Sequence, residues 1–182
     1  PASVQAVLAK VQMAMTGGAA GMAGTKKQRE LYVGNLPPGM TGPQLKELLG
    51  ATLLQKPHKL ARLVEGMIEG IEVPVTVKIR LGWSEDAYNA SEVARVCEEA
   101  GAKAVGIHGR TREQRYSRAA DWDEIAKVAS ERAIPVIGNG DLLTWFETHE
   151  RWQQSGVASV MIGRGALIKP WIFREIAEKQ AW

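Results

Sequence analysis

The 182-residue chain predicts an α/β fold, a half of a TIM-type (β/α)₈ barrel with parallel strands, from three features of its sequence. Branched apolar runs centred on Val75, Val105, Val136 and Val160 alternate with segments of helical periodicity. The centres lie 30, 31 and 24 residues apart, which is what a strand, a crossover helix and two loops occupy. The runs are apolar on both faces, most plainly across 73–80, as strands covered on both sides in a parallel sheet are. A complete barrel needs about 250 residues, so this is half of one. The open edge calls for a homodimer or a partner chain to complete it.

Three regions follow one another. Residues 1–28 are rich in Ala, Gly and Met and predict a weak helix over 4–15 and then a flexible linker. Residues 29–49 predict a β-turn-α unit: a strand over 30–36, a stop at Pro37-Pro38-Gly39, and a helix capped by Thr41 that runs through Leu45, Leu48 and Leu49. Residues 50–182 hold the regular cycle. Leu60, Leu63, Val64, Met67, Ile68 and Ile71 recur at three- and four-residue spacing and share one helix face. After the strand at 73–80 come a helix with Val93, Val96 and Cys97 inward, a strand over 104–108, a helix over 122–128, a strand over 134–137, a helix over 145–153 and a strand over 158–162. The six tryptophans read as packing residues rather than stacking platforms.

Composition narrows the class. With 45% apolar and 24% charged residues the chain is an ordinary globular protein, not disordered, collagenous or disulfide-stapled. A single thiol, Cys97, cannot form an internal bridge, and a reducing, cytoplasmic setting follows, with an organelle or nucleus also compatible. The net charge of +3 belongs to residues 1–49, where Lys10, Lys26, Lys27, Arg29 and Lys46 face Glu30 and Glu47. The remainder is balanced, so the basic pI does not make the barrel half a polyanion binder. The uncharged stretch 11–25 is broken by four glycines and is too short for a membrane span.

Each apolar strand of the cycle ends in polar or glycine residues: Lys78-Ile79-Arg80, His108-Gly109-Arg110, Gly138-Asn139-Gly140-Asp141 and Gly163-Arg164-Gly165. Parallel strands deliver their C-terminal ends to one rim, so Lys78, His108, Asn139 and Arg164 should converge where barrel enzymes place their sites. Glycines that admit a close backbone approach, next to helix starts, suit a phosphate-bearing cofactor.

These residues resemble a known family. The segments 77–83 (VKIRLGW), 107–116 (IHGRTREQRY), 120–122 (ADW), 135–141 (PVIGNGD), 161–167 (MIGRGAL) and 170–173 (PWIF) are similar, in that order, to the tRNA-dihydrouridine synthases. The resemblance implies the second half of that family's barrel, bound FMN, NADPH as reductant and tRNA as substrate. Hydride then passes from flavin to a uracil ring while a cysteine supplies a proton. It also implies cofactor contacts by Lys78, His108, Asn139, Gly140, Asp141, Gly163 and Arg164, and RNA contacts by Arg110, Arg112, Arg115 and Tyr116. The family's proton donor lies in an Asn-x-Gly-Cys-Pro segment, and the candidate here, Asn35-Leu36-Pro37, places Leu36 where Cys is needed. Cys97 does not replace it, because its spacing from Val93 predicts the buried face of a helix.

Separately, residues 26–45 are similar to the start of an RNA-recognition motif of a polypyrimidine-tract-binding splicing factor, in which Tyr32 would stack on a base. The motif's second, aromatic-rich half is missing. Alternative readings of the chain are a non-catalytic RNA-binding or assembly protein and a gene-fusion fragment.

Overall fold

The computed structural model describes residues 51–69 and 73–181. The helix expected over 4–15, the β-turn-α unit, Leu36 and the segment similar to an RNA-recognition motif lie outside the described residues.

A 3₁₀ turn, Ala51–Gln55, leads into helix α1, Pro57–Glu69, which starts on a proline whose missing N–H costs a first turn nothing. Leu60, Val64 and Met67 of α1 are buried. Four strands follow: β1 (Thr76–Arg80), β2 (Ala104–His108), β3 (Val136–Asn139) and β4 (Ser159–Met161). They pair in sequential order and all in parallel. The crossovers are α2 (Ala90–Glu99), α3 (Trp122–Glu131) and α4 (Trp145–Ser155), and each packs on the next, so they form one layer over one face of the sheet. Sequential parallel strands with a single helical layer are the wall of a barrel, and the described residues supply four strands of the eight. Two short helices, α5 (Arg164–Ile168) and α6 (Ile172–Glu178), end the described chain.

The register sorts the side chains by face. Val77, Val105 and Val136 align across three strands, and Ile79 aligns with Ile107, Gly138 and Val160. These rows meet the helices, where Val93, Ala94, Cys97, Ile125 and Val128 are fully buried. Local signals fix the helix ends. Asp121 accepts the Glu124 N–H (3.0 Å) at the start of α3, and Thr144 accepts the Glu147 N–H (3.3 Å) at the start of α4. Gly156 ends α4 in the left-handed conformation, φ 65°.

The strand expected over 134–137 begins two residues later. Gly138 and Asn139 are turn-forming residues in isolation, but pairing with Ile107 and His108 on one side and Val160 and Met161 on the other holds them extended. Val96 is only half-buried, and Ala94 takes the inward place expected of it. Trp122 is buried as read, whereas Trp171 is 50% exposed. Among the described residues no helix is long and apolar enough to cross a membrane.

Candidate functional site

The sheet face turned away from the helices carries the opposite chemistry. Its last row is Arg80, His108, Asn139 and Met161, and the row beneath is Lys78, Gly106, Ile137 and Ser159. Lys78 lies along the sheet over Gly106, where an added Cβ would stand 2.6 Å from the lysine Cδ, so only glycine admits this course. Burial, and next to it the charge of Arg80, lowers the Lys78 pKa to about 7. Burial likewise lowers His108 to about 3, helped by Lys78, Arg80 and Arg110 and opposed by Asp141. His108 is therefore neutral at physiological pH. A cluster of cations this crowded is a preformed seat for negative charge.

The β2–α3 connection, residues 109–121, is ordered by its own hydrogen bonds. Gln114 Oε1 accepts the Thr111 N–H (2.8 Å), Thr111 Oγ1 accepts the Gln114 N–H (3.2 Å), and the backbone of Arg112 and Glu113 donates to Gly82 and Trp83 carbonyls. Arg110 corrects an expectation: it does not face outward toward RNA but is 3% exposed. Its Nη2 donates to Asp141 Oδ1 (2.6 Å) and Oδ2 (2.5 Å), and its Nε to the Arg118 carbonyl (2.5 Å). A buried guanidinium needs such partners, and Asp141 is its counter-ion. Arg112, Arg115 and Tyr116 do lie at the surface, with Arg112 stacked 4.6 Å over the Trp83 ring.

The last two rim loops meet the first two. Gly140 adopts φ 132°, where a side chain is strained, and its α-carbon packs against the His108 ring and Ala120. Asp141, at φ 52°, also accepts the Ala120 N–H (2.7 Å) and an Arg164 N–H (2.8 Å). Burial pushes its carboxyl up, but the hydrogen bonds and charges of Arg110, Ala120 and Arg164 outweigh that and hold it below its usual value. Arg164 stacks 4.4 Å over Tyr116, whose ring lies 6.4 Å from that of His108. Asn139 Nδ2 donates to the Met161 carbonyl (2.8 Å), tying β3 to β4, and Gly163 precedes α5 with open space at its α-carbon.

His108, Arg110, Tyr116, Gly140, Asp141 and Arg164 thus form one contiguous group, with Lys78 and Asn139 on the adjoining sheet. Arg112 and Arg115 stand apart on the loop. Arg80 was missed as a candidate, although strand alternation from Lys78 puts it on the same face. Trp83 was missed because its role is to hold an arginine, which no periodicity marks. Cys97 is 0% exposed on the core face of α2, and burial raises its thiol to about 12, so it is no proton donor to this rim. The donor set fits a phosphorylated flavin: cations and a neutral imidazole on one rim, with glycines at its loops.

Residues 42–182 match the Dihydrouridine synthase (Dus) family. The chain is 46% identical over 130 residues to a probable tRNA-dihydrouridine synthase of Rhodobacter capsulatus, covering 71% of this chain and 40% of that protein. It is 41% identical over 131 residues to tRNA-dihydrouridine synthase B of Proteus vulgaris, covering 72% and 41%. With a tRNA-dihydrouridine(47) synthase NAD(P)(+)-like protein of Rattus norvegicus it shares 44% over 136 residues, 73% of this chain and 21% of that one. The chain spans about two-fifths of the length of these bacterial relatives and one-fifth of the rat protein.

Proposed function

Since the chain belongs to the dihydrouridine synthase family, we propose that its four strands are the phosphate-gripping half of an FMN-dependent barrel that reduces uridine in tRNA, with NADPH as reductant, in the cytoplasm. The observation that carries this reading is the convergence of Lys78, Arg80, His108 and Arg164 on one rim, with Asp141 as the carboxylate among them. When bound, the flavin supplies hydride for the uracil ring. The chain's own residues bind and polarise. Arg164 grips the phosphate as a charge-assisted donor, and Gly163 leaves the loop backbone open to it. Lys78 sits where its positive form stabilises negative charge developing at the ring system, and Asn139 holds the neighbouring strand in place. His108, neutral, orients the ring or substrate by hydrogen bonding rather than by charge. Arg112, Arg115 and Tyr116 line a shallow groove of about 560 Å³ on the β2–α3 loop and face the RNA.

Closing the barrel requires further strands on the edges of β1 and β4, from a second copy, a partner chain or more of the same polypeptide. The test of the whole reading is a titration of the 182-residue chain with FMN, followed by quenching of flavin fluorescence. Saturable binding that Arg164→Ala weakens is expected. A protein that leaves FMN emission unchanged overturns the cofactor assignment.

A further inference from the structure

We propose that Asp141 is a positioning residue that holds Arg164 in its phosphate-gripping pose, and that its carboxylate does not itself touch the cofactor. The inference rests on the reading of Arg164 as the phosphate donor and changes the role that family resemblance implies for Asp141. An ionised carboxylate repels a phosphate at contact distance, so a direct role for its oxygens is unfavourable. Those oxygens are also committed. They accept from Arg110 Nη2 (2.6 and 2.5 Å), the Ala120 N–H (2.7 Å) and Arg164 Nη2 (2.8 Å).

The contacts form a chain that runs outward from a fixed base. Arg110 is buried and anchored at its other end on the Arg118 carbonyl. Asp141 is gripped by Arg110 and by the backbone of Ala120, and two successive positive-φ residues, Gly140 and Asp141, turn the chain so that the carboxylate reaches them. Arg164, with 45% of its side chain exposed, is then pinned from two directions, by Asp141 and by the Tyr116 ring. A loose arginine loses rotamer freedom when it binds. One already held in place loses less, and the difference appears as affinity.

The experiment compares FMN with riboflavin, which lacks the phosphate, on the full chain and its variants by fluorescence quenching. The wild type should prefer FMN. Asp141→Asn should reduce that preference about tenfold, the size expected for one charge-assisted contact, while riboflavin affinity stays unchanged. Adding Asp141→Asn to Arg164→Ala should cost nothing more. Because Asp141→Asn also strips Arg110 of its counter-ion, a folding check by thermal unfolding accompanies it, and Asp141→Glu serves as the second variant. The glutamate keeps the charge for Arg110 but moves the anchor by a methylene, so it too should lower the FMN preference. A folded variant of either kind that discriminates FMN from riboflavin as the wild type does overturns the proposal. A wild type that shows no preference for FMN instead overturns the phosphate grip on which it stands.

Discussion

The two faces of this sheet are built from the same four strands yet solve opposite problems. On the helix side Val77, Ile79, Val105 and Ile107 are at most 7% exposed and pack against aliphatic side chains. On the other side burial, and after it the charge of Arg80, lowers the Lys78 pKa, and burial with the charges of Lys78, Arg80 and Arg110 keeps His108 neutral. One face stabilises the fold and the other spends stability to keep a seat for an anion, a division that a period of two in each strand imposes.

The sharpest way to break that contrast is a matched pair of deletions. Ile107→Ala removes a fully buried side chain and should cost about 2–5 kcal/mol of unfolding free energy, read from urea denaturation. Lys78→Met, one strand away on the other face, removes a desolvated charge of similar length and should leave stability unchanged or raise it. It should also weaken FMN binding. If Lys78→Met destabilises as much as Ile107→Ala, the two faces are not specialised as described.

Titration sharpens the same comparison. Lys78 falls from its ordinary 10.5 to about 7 on folding, so between those values the unfolded chain holds a proton that the folded one does not. Stability should therefore rise as pH increases through about 7 to 10.5. His108 falls from 6.5 to about 3, and by the same sign stability should be lost as pH drops from 6.5 toward 3. Urea midpoints against pH report both slopes. His108→Gln should flatten the acid slope and leave the alkaline one intact, whereas Lys78→Met should flatten the alkaline slope and, by removing one of the charges that depress His108, lessen the acid one.

How much of this was legible in the sequence follows from what repeats. Ala104–His108 was read at its observed bounds because an uninterrupted apolar run between a helix end and a glycine marks itself. Lys78, His108 and Asn139 could be assembled from sequence, since parallel strands must deliver their ends to one rim. The third strand's true end at Asn139 could not, because Gly138 and Asn139 extend only under pairing from both neighbours. The partnership of Arg110 with Asp141 was equally hidden. The two residues lie 31 positions apart in loops, where neither spacing nor periodicity reports contact. A run of arginines reads as a charged surface until burial separates its members.

That separation supports the finest test, because Arg110 and Arg112 are two positions apart with opposite surroundings. Arg110→Ala leaves the Asp141 carboxylate without its main partner and should destabilise the fold by about 1–3 kcal/mol. Arg112 is exposed, so its replacement by alanine should change stability by no more than about 0.5 kcal/mol. What Arg112→Ala should alter is the electrostatics of RNA binding. A cation that neutralises one phosphate contributes one released counter-ion, so the slope of log affinity against log salt for tRNA should flatten by about one. Fluorescence anisotropy of labelled tRNA across a series of KCl concentrations measures that slope. If Arg112→Ala and Arg115→Ala both keep the wild-type slope and affinity, the β2–α3 loop is not the RNA face. The ordering of the loop by Gln114, Thr111 and the Trp83 stack would then serve only to enclose Arg110, Asp141 and Arg164.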